Sequence, residues 1–158
     1  LQRACFLDRD GVINVDEGYV GTIDRFRFIP GIFEALQKLQ QRGFRLIVVT
    51  NQSGIARGYY TQADYEKVTR YMLEEFAKRG IKITAVYHCP HHPDEGCDCR
   101  KPKPGMIERA ACEYDIDLAS SWLVGDKMSD IEAAQRAGIK NVVLLDNKRL
   151  IDVVEEIV

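Results

Sequence analysis

Phe6-Leu7-Asp8-Arg9-Asp10-Gly11 sets two carboxylates two residues apart at the end of an apolar run. On an extended chain such residues point the same way, so both acids are expected to converge on one spot. Paired carboxylates repel unless a cation lies between them, and hard oxygen donors suit Mg²⁺. Asp126, in Val124-Gly125-Asp126-Lys127-Met128-Ser129-Asp130, could complete a three-acid magnesium site with Asp8 and Asp10. Thr50-Asn51-Gln52-Ser53-Gly54 offers hydroxyl, amide and backbone N–H groups able to hold phosphate oxygens. Arg100-Lys101-Pro102-Lys103-Pro104-Gly105 sets three cations before a helix whose first N–H groups already attract anions. Taken singly, each stretch has a plainer reading: an Asp-Gly turn, an acid at a helix N-terminus, a polar loop, a solvated basic turn. Together they describe a pocket for a phosphate and its metal.

A second cluster has different chemistry. The chain has five cysteines and three histidines, and His88, Cys89, His91, His92, Cys97 and Cys99 share one short stretch. Cys5 and Cys112 stand alone in apolar surroundings, where a reduced cysteine behaves as a small hydrophobe. An odd cysteine count mixed with histidine points to metal rather than to a disulfide framework. Cys89-Pro90-His91 and Cys97-Asp98-Cys99 each present two donors at i, i+2 spacing, which an extended segment turns toward one ion. Three thiolates and one imidazole fill a closed tetrahedral zinc site, with no open position for water. His88 and His92 are expected to face away. Zinc there would be structural, pinning a loop at residues 88–100 beside Arg100 and Lys101.

These groups need a scaffold. The continuous apolar runs Ala4–Leu7, Leu46–Val49, Ile83–Tyr87, Trp122–Val124 and Val142–Leu145 suit parallel strands covered on both faces. Amphipathic stretches alternate with them. Pro30 and Gly43 bracket one helix, with Ile32, Leu36 and Leu39 on one face. Thr61 and Asp64 form a capping box for a second, whose Tyr65, Val68, Met72 and Phe76 recur at helical spacing up to Gly80. Pro104 suits the first turn of a third, and Ser129 with Glu132 is expected to cap a fourth that Gly138 ends. Repeated βα units with right-handed crossovers predict a doubly wound, Rossmann-like parallel sheet in a single domain over residues 1–158. Ligands of such sheets bind beyond the carboxyl ends of the strands, where the polar motifs lie.

Composition bounds the class. The 158 residues are 46% hydrophobic and 29% charged with net charge −2, which excludes a disordered chain. A mildly acidic chain offers no basic surface for nucleic acid. No apolar run approaches the ~20 residues of a membrane span, and no charged-then-apolar leader is read before the first strand. A cytoplasmic monomer acting on a small molecule is the expectation.

The order Asp-x-Asp-Gly, Thr, Lys-Pro-x-Pro, Gly-Asp-x-x-x-Asp across residues 6–130 resembles the haloacid dehalogenase (HAD) superfamily of phosphotransferases. Within it, Leu7–Gly11, Asn14–Val20, Val48–Gly58 and Cys89–Gly105 are similar to the heptose bisphosphate phosphatases. The resemblance implies a phosphatase acting through an aspartyl-phosphate, with Asp8 as nucleophile and Asp10 as general acid/base. It implies Mg²⁺ ligands at Asp8, Asp10 and Asp126, and phosphoryl stabilisation by Thr50 and Lys101. Substrate contacts fall at Asp16, Glu17, Gly18 and Tyr19, at Thr50, Asn51, Gln52 and Ser53, and at Arg100 and Lys127. A carboxylate with an ordinary pKa of about 3.9 would be ionised at neutral pH, so Asp8 needs no base in order to attack. No large insertion separates Asp10 from Thr50, so no separate cap domain is expected. The loop at Pro93–Gly96 is short compared with many members, and it borders the substrate. Histidinol-phosphate phosphatase is a close rival, sharing the acid pair and the zinc loop. A phosphoaspartate receiver is a rival of another class, although receivers carry their phosphorylated Asp at the third strand.

Overall fold

The computed structural model describes residues 1–158. Five strands, β1 (Ala4–Leu7), β2 (Arg45–Asn51), β3 (Ile83–Cys89), β4 (Trp122–Gly125) and β5 (Asn141–Leu144), form one sheet. Their order is β3-β2-β1-β4-β5, and every pairing is parallel. The helices are α1 (Ile32–Gln41), α2 (Gln62–Ala77), α3 (Gly105–Tyr114), α4 (Met128–Ala137) and the short α5 (Leu150–Val153).

The period-2 alternation of β1 decides which helices cover which face. Cys5 and Leu7 pack with Ile32, Leu36 and Leu39 of α1, Val68, Met72 and Phe76 of α2, and Leu150 and Val153 of α5. Ala4 and Phe6 pack on the other side with Met106, Ile107 and Ala110 of α3 and Ile131, Ala133 and Ala134 of α4. The chain winds outward from β1 through β2 to β3, then crosses back to β4 on the other flank of β1. Right-handed crossovers put helices on opposite faces before and after that reversal. The expected doubly wound sheet is the one observed, and its switch point opens beside the carboxyl ends of β1 and β4. No helix is long and apolar enough to cross a membrane.

The helix starts hold one confirmation and two corrections. The Thr61–Asp64 box forms as expected: the Asp64 N–H donates to Thr61 Oγ1 at 3.0 Å and the Thr61 N–H to Asp64 Oδ2 at 2.9 Å. Pro104 stands as the N-cap of α3 rather than within its first turn. Ser129 does not cap α4; Lys127 is the N-cap, and the Asp130 carboxylate accepts from the Asp126 and Lys127 N–H groups at 3.0 Å each. An acid one turn in can reach back to the free N–H groups of a helix start, a role that Ser129, already inside the helix, cannot take.

Several strand ends also move. β2 continues through Thr50 and Asn51, which pair with His88 and Cys89 of a longer β3. These four polar residues belong to the sheet, because backbone ladders do not stop where hydrophobicity stops. β5 ends at Leu144, although the Leu145 N–H still bonds the Gly125 carbonyl at 3.0 Å. β3, at the sheet edge, is only half-buried along most of its length, so the apolar runs at the edges are not covered on both faces. Cys5 is buried as expected, but Cys112, between Ala111 and Glu113, lies exposed on α3.

Candidate active site

Asp8 directly follows β1, with its N–H bonded to the Val124 carbonyl of β4 at 3.2 Å, at the switch point of the sheet. One of its oxygens, Oδ1, accepts from the Arg9 N–H at 2.9 Å and from Lys101 Nζ at 3.0 Å. The other oxygen takes no hydrogen bond. Lys101 is buried, and its ammonium also meets Asp130 Oδ1 at 2.5 Å and the Val49 carbonyl at 2.9 Å. Burial opposes charge on Lys101, but the Asp8 and Asp130 carboxylates outweigh it, so its pKa is raised. For Asp8 the ordinary value expected from sequence does not hold. Burial pushes it up to about 7, Lys101 pulling down and Asp130 pushing further up.

The Asp10 carboxylate takes different hydrogen-bond partners from Asp8. The i, i+2 argument needs an extended chain, and the chain turns here: the Arg9 carbonyl accepts from the N–H groups of Val12, Ile13 and Asn14. The Asp10 carboxylate accepts from Asn14 Nδ2 at 2.8 Å, Arg9 Nη2 at 3.0 Å and Gln52 Nε2 at 3.2 Å. Gln52 in turn donates to Thr50 Oγ1 at 2.9 Å and accepts from the Tyr60 hydroxyl. Gln52 therefore couples Thr50 to Asp10. The buried Arg9 guanidinium beneath them also donates to the Val20 carbonyl at 2.8 Å and lies 5.6 Å from the Phe26 ring.

Asp126 approaches from β4. Gly11, at φ +92°, lies so close that a Cβ there would sit 2.3 Å from Asp126 Oδ2, so only glycine permits the approach. Burial raises the pKa of Asp126, as does the charge of Asp16. Asp8 and Asp126 thus bring oxygen-only donors to the switch point, a set that fits Mg²⁺. The Asp10 carboxylate lines the cavity while held by Arg9, Asn14 and Gln52.

Beyond these acids opens a cavity of about 520 Å³. Asp10, Asp16, Gly18, Tyr19, Asn51, Gln52, Ser53, Arg100, Lys101 and Lys127 line it, all of them candidates from the sequence. Asp8, Thr50 and Asp126 are not among the lining residues. Glu17 is not among the lining residues; its carboxylate pairs with Arg27 instead. Asn51 also clips the main chain of Lys101, accepting from its N–H at 3.0 Å and donating to its carbonyl at 3.3 Å. Sequence reasoning missed Asp130, Arg57, Tyr60 and Arg25. Asp130 stands in the quoted Gly-Asp-x-x-x-Asp motif, a signal that was available. Arg25 left none: its guanidinium holds the carbonyls of Glu17, Gly18 and Tyr19 at 2.8–3.1 Å, clamping one cavity wall from outside.

Cys89, His91, Cys97 and Cys99 come together as expected, with their ligand atoms all within 4.8 Å of one another. Cys89 Sγ lies 3.4 Å from His91 Nδ1 and 3.5 Å from Cys97 Sγ, and His91 Nδ1 lies 3.3 Å from Cys99 Sγ. Four donors at that spacing could hold one metal ion. Burial pushes the Cys89 and Cys99 thiols up. For Cys97 burial is outweighed by hydrogen bonds from the Arg100 backbone and from Cys89, which bring it down to about 6. His88 stacks on Tyr65 with ring centroids 4.3 Å apart, and His92 accepts from the Asp94 N–H at 3.2 Å, so both face elsewhere. Lys103 Nζ donates to the Cys97 carbonyl, away from Asp8.

This arrangement has close relatives. The chain is 50% identical over 147 residues to D-glycero-alpha-D-manno-heptose-1,7-bisphosphate 7-phosphatase of Campylobacter jejuni, covering 93% of this chain and 84% of that one. It is 49% identical over 149 residues to the beta-anomer enzyme of Escherichia coli K12, covering 90% and 78%. The chain belongs to the heptose-1,7-bisphosphate 7-phosphatase family. A HAD-hydrolase-like family model matches residues 98–155, the part that holds Lys101, Asp126 and Asp130. The crystal structure of D,D-heptose 1,7-bisphosphate phosphatase from B. bronchiseptica, complexed with magnesium and phosphate, superposes with a TM-score of 0.88 at 35% identity, covering 98% and 97%. Members of this family are phosphatases by name, and the HAD-type fold expected from the motifs is the fold found.

Proposed function

We propose that this chain removes the 7-phosphate of D-glycero-D-manno-heptose 1,7-bisphosphate, releasing heptose 1-phosphate for nucleotide-activated heptose biosynthesis. One observation carries the reading: Asp8 has one oxygen held by the Arg9 N–H and by Lys101, a lysine that lines a polar cavity, and its other oxygen free. The free Oδ2 attacks phosphorus, and the bond from phosphorus to the C7 oxygen breaks. Asp10 gives that leaving oxygen a proton, then takes one from the water that hydrolyses the aspartyl-phosphate. Lys101 and Thr50 offset the charge gathering on the transferring group. Asp8, Asp10 and Asp126 would hold Mg²⁺, which would supply further positive charge against the repulsion between carboxylate and phosphate. Gln52, tied to Tyr60, keeps Asp10 and Thr50 in mutual register.

Zn²⁺ at Cys89, His91, Cys97 and Cys99 would be structural, since four protein donors leave no position for substrate. It would fix the loop that leads into Arg100 and Lys101, whose main chain Asn51 also grips. One sheet covered on both faces supports reading residues 1–158 as a single domain, and a net charge of −2 supports a small-molecule enzyme without nucleic acid. We read it as a cytoplasmic monomer; light scattering on the purified protein tests the oligomeric state.

Phosphate release from both anomers of the heptose bisphosphate and from histidinol phosphate tests the function. The expected result is multiple turnover with the highest kcat/KM on a heptose bisphosphate. Preference for histidinol phosphate would reassign the substrate, and a single phosphate retained per chain would make the protein a receiver.

A further inference from the structure

Four cations line the cavity: Arg57, Arg100, Lys101 and Lys127. Lys101 is committed to Asp8 and Asp130 at the inner end. Arg57 touches neither carboxylate. It stands in the turn after β2, with its Nε donating to Ser53 Oγ at 3.1 Å and its N–H bonded to the Ser53 carbonyl at 3.0 Å. Its guanidinium carbon lies 5.7 Å from the centroid of the Tyr19 ring, which packs edge-on against Tyr59 at 4.8 Å. Tyr19 belongs to the wall that Arg25 clamps through three carbonyls. The fork is thus fixed at its root by Ser53 and along its face by Tyr19, while both terminal nitrogens carry no partner. A planar fork held this way is suited to a phosphate, which takes two parallel N–H donors. Because one phosphate must lie at Asp8, the anion left for Arg57 is a second one on the same small molecule.

We propose that Arg57 is a specificity-determining residue that binds the phosphate the enzyme does not cleave. The inference rests on the bisphosphatase reading above and adds to it a residue that separates bisphosphate from monophosphate substrates. A cavity of about 520 Å³ has room for both ends of such a substrate.

The test compares kcat/KM for heptose 1,7-bisphosphate with kcat/KM for heptose 7-phosphate in the magnesium-loaded wild type, Arg57→Ala, Arg57→Gln and Arg57→Lys. In Arg57→Ala the ratio should fall by roughly 10- to 100-fold, mainly through KM of the bisphosphate, as expected for losing charged hydrogen bonds. Arg57→Gln should fall similarly, and Arg57→Lys should recover part of the ratio, having charge without the fork. Should Arg57→Ala fail to fold, the Gln and Lys variants read the same ratio. A ratio unchanged in Arg57→Gln and Arg57→Lys, or an equal loss on both substrates, overturns the proposal. Wild type showing no preference for the bisphosphate would instead overturn the functional reading itself.

Discussion

At the scale of single residues, the environment of Asp8 sets both its reactivity and its cost. Asp8→Asn should abolish turnover, because an amide neither attacks phosphorus nor balances Mg²⁺. Phosphate release by that variant, once deamidation is excluded by mass spectrometry, would reject the nucleophile. Burial raises the pKa of Asp8 from the ordinary carboxylate range to about 7 in the folded protein. A raised folded-state pKa means stabilisation present below the unfolded value and lost as pH rises through the folded one. In magnesium-free buffer the Tm should therefore fall between pH 4 and pH 8 on account of this group, and Asp8→Asn should flatten that fall. The two lysines of Lys-Pro-x-Pro are separated equally sharply. Lys101 is buried between Asp8 and Asp130, whereas Lys103 is exposed and bonds the Cys97 carbonyl. Lys101→Ala should lower kcat/KM by about 2.7–4 kcal/mol in transition-state free energy, the scale of a lost oxyanion donor. Lys103→Ala should cost far less. Equal losses in steady-state kinetics would remove the distinction.

At the scale of elements, the segment from β3 to α3 has a single 3₁₀ turn at Pro93–Glu95 and depends on its Cys/His cluster for shape. Gly105 at the start of α3 lets the loop lie flat against the helix, since a Cβ there would meet the Asp98 carbonyl at 2.3 Å. Cys97→Ser should release zinc and lower activity by loosening the chain into Arg100 and Lys101, with Asp8 and Asp126 left intact. Elemental analysis of the purified wild type should find one zinc per chain, with magnesium removable by chelation and restored by its addition. Zinc-free protein with full activity would reject the structural role. These elements were partly legible in sequence. The two i, i+2 pairs marked the cluster, whereas the extension of β3 through Cys89 was hidden, because hydrogen bonding to Asn51 of β2 and not hydrophobicity defines that end.

At the scale of the whole molecule, two cores sandwich one sheet, and the larger holds Phe76 with Phe28 and Phe33 packed at ring distances of 5.5 and 5.8 Å. Phe76→Ala should cost about 3–5 kcal/mol of stability, measured by denaturant unfolding, through lost burial and the cavity left behind. Because Phe76 stands near the C-terminal end of α2 and is not among the residues lining the cavity, kcat in native conditions should change little while the folded state is populated. A comparable loss of kcat with stability unchanged would contradict this separation.

The sequence by itself determined the βα alternation, the doubly wound class, the meeting of Cys89, His91, Cys97 and Cys99, and the family, because each depends on local periodicity, spacing or motif order. Only the tertiary structure decided that Asp130 and not Ser129 takes the free N–H groups at the start of α4 and also holds Lys101. It likewise tied Asp10 to Gln52, and paired Glu17 with Arg27 outside the residues that line the cavity. The physical reason is common to all three. Spacing along the chain sets which side chains can meet, but which charge pairs with which is settled by competition among groups brought together from distant elements, Lys101 reaching Asp8 across 93 positions of sequence.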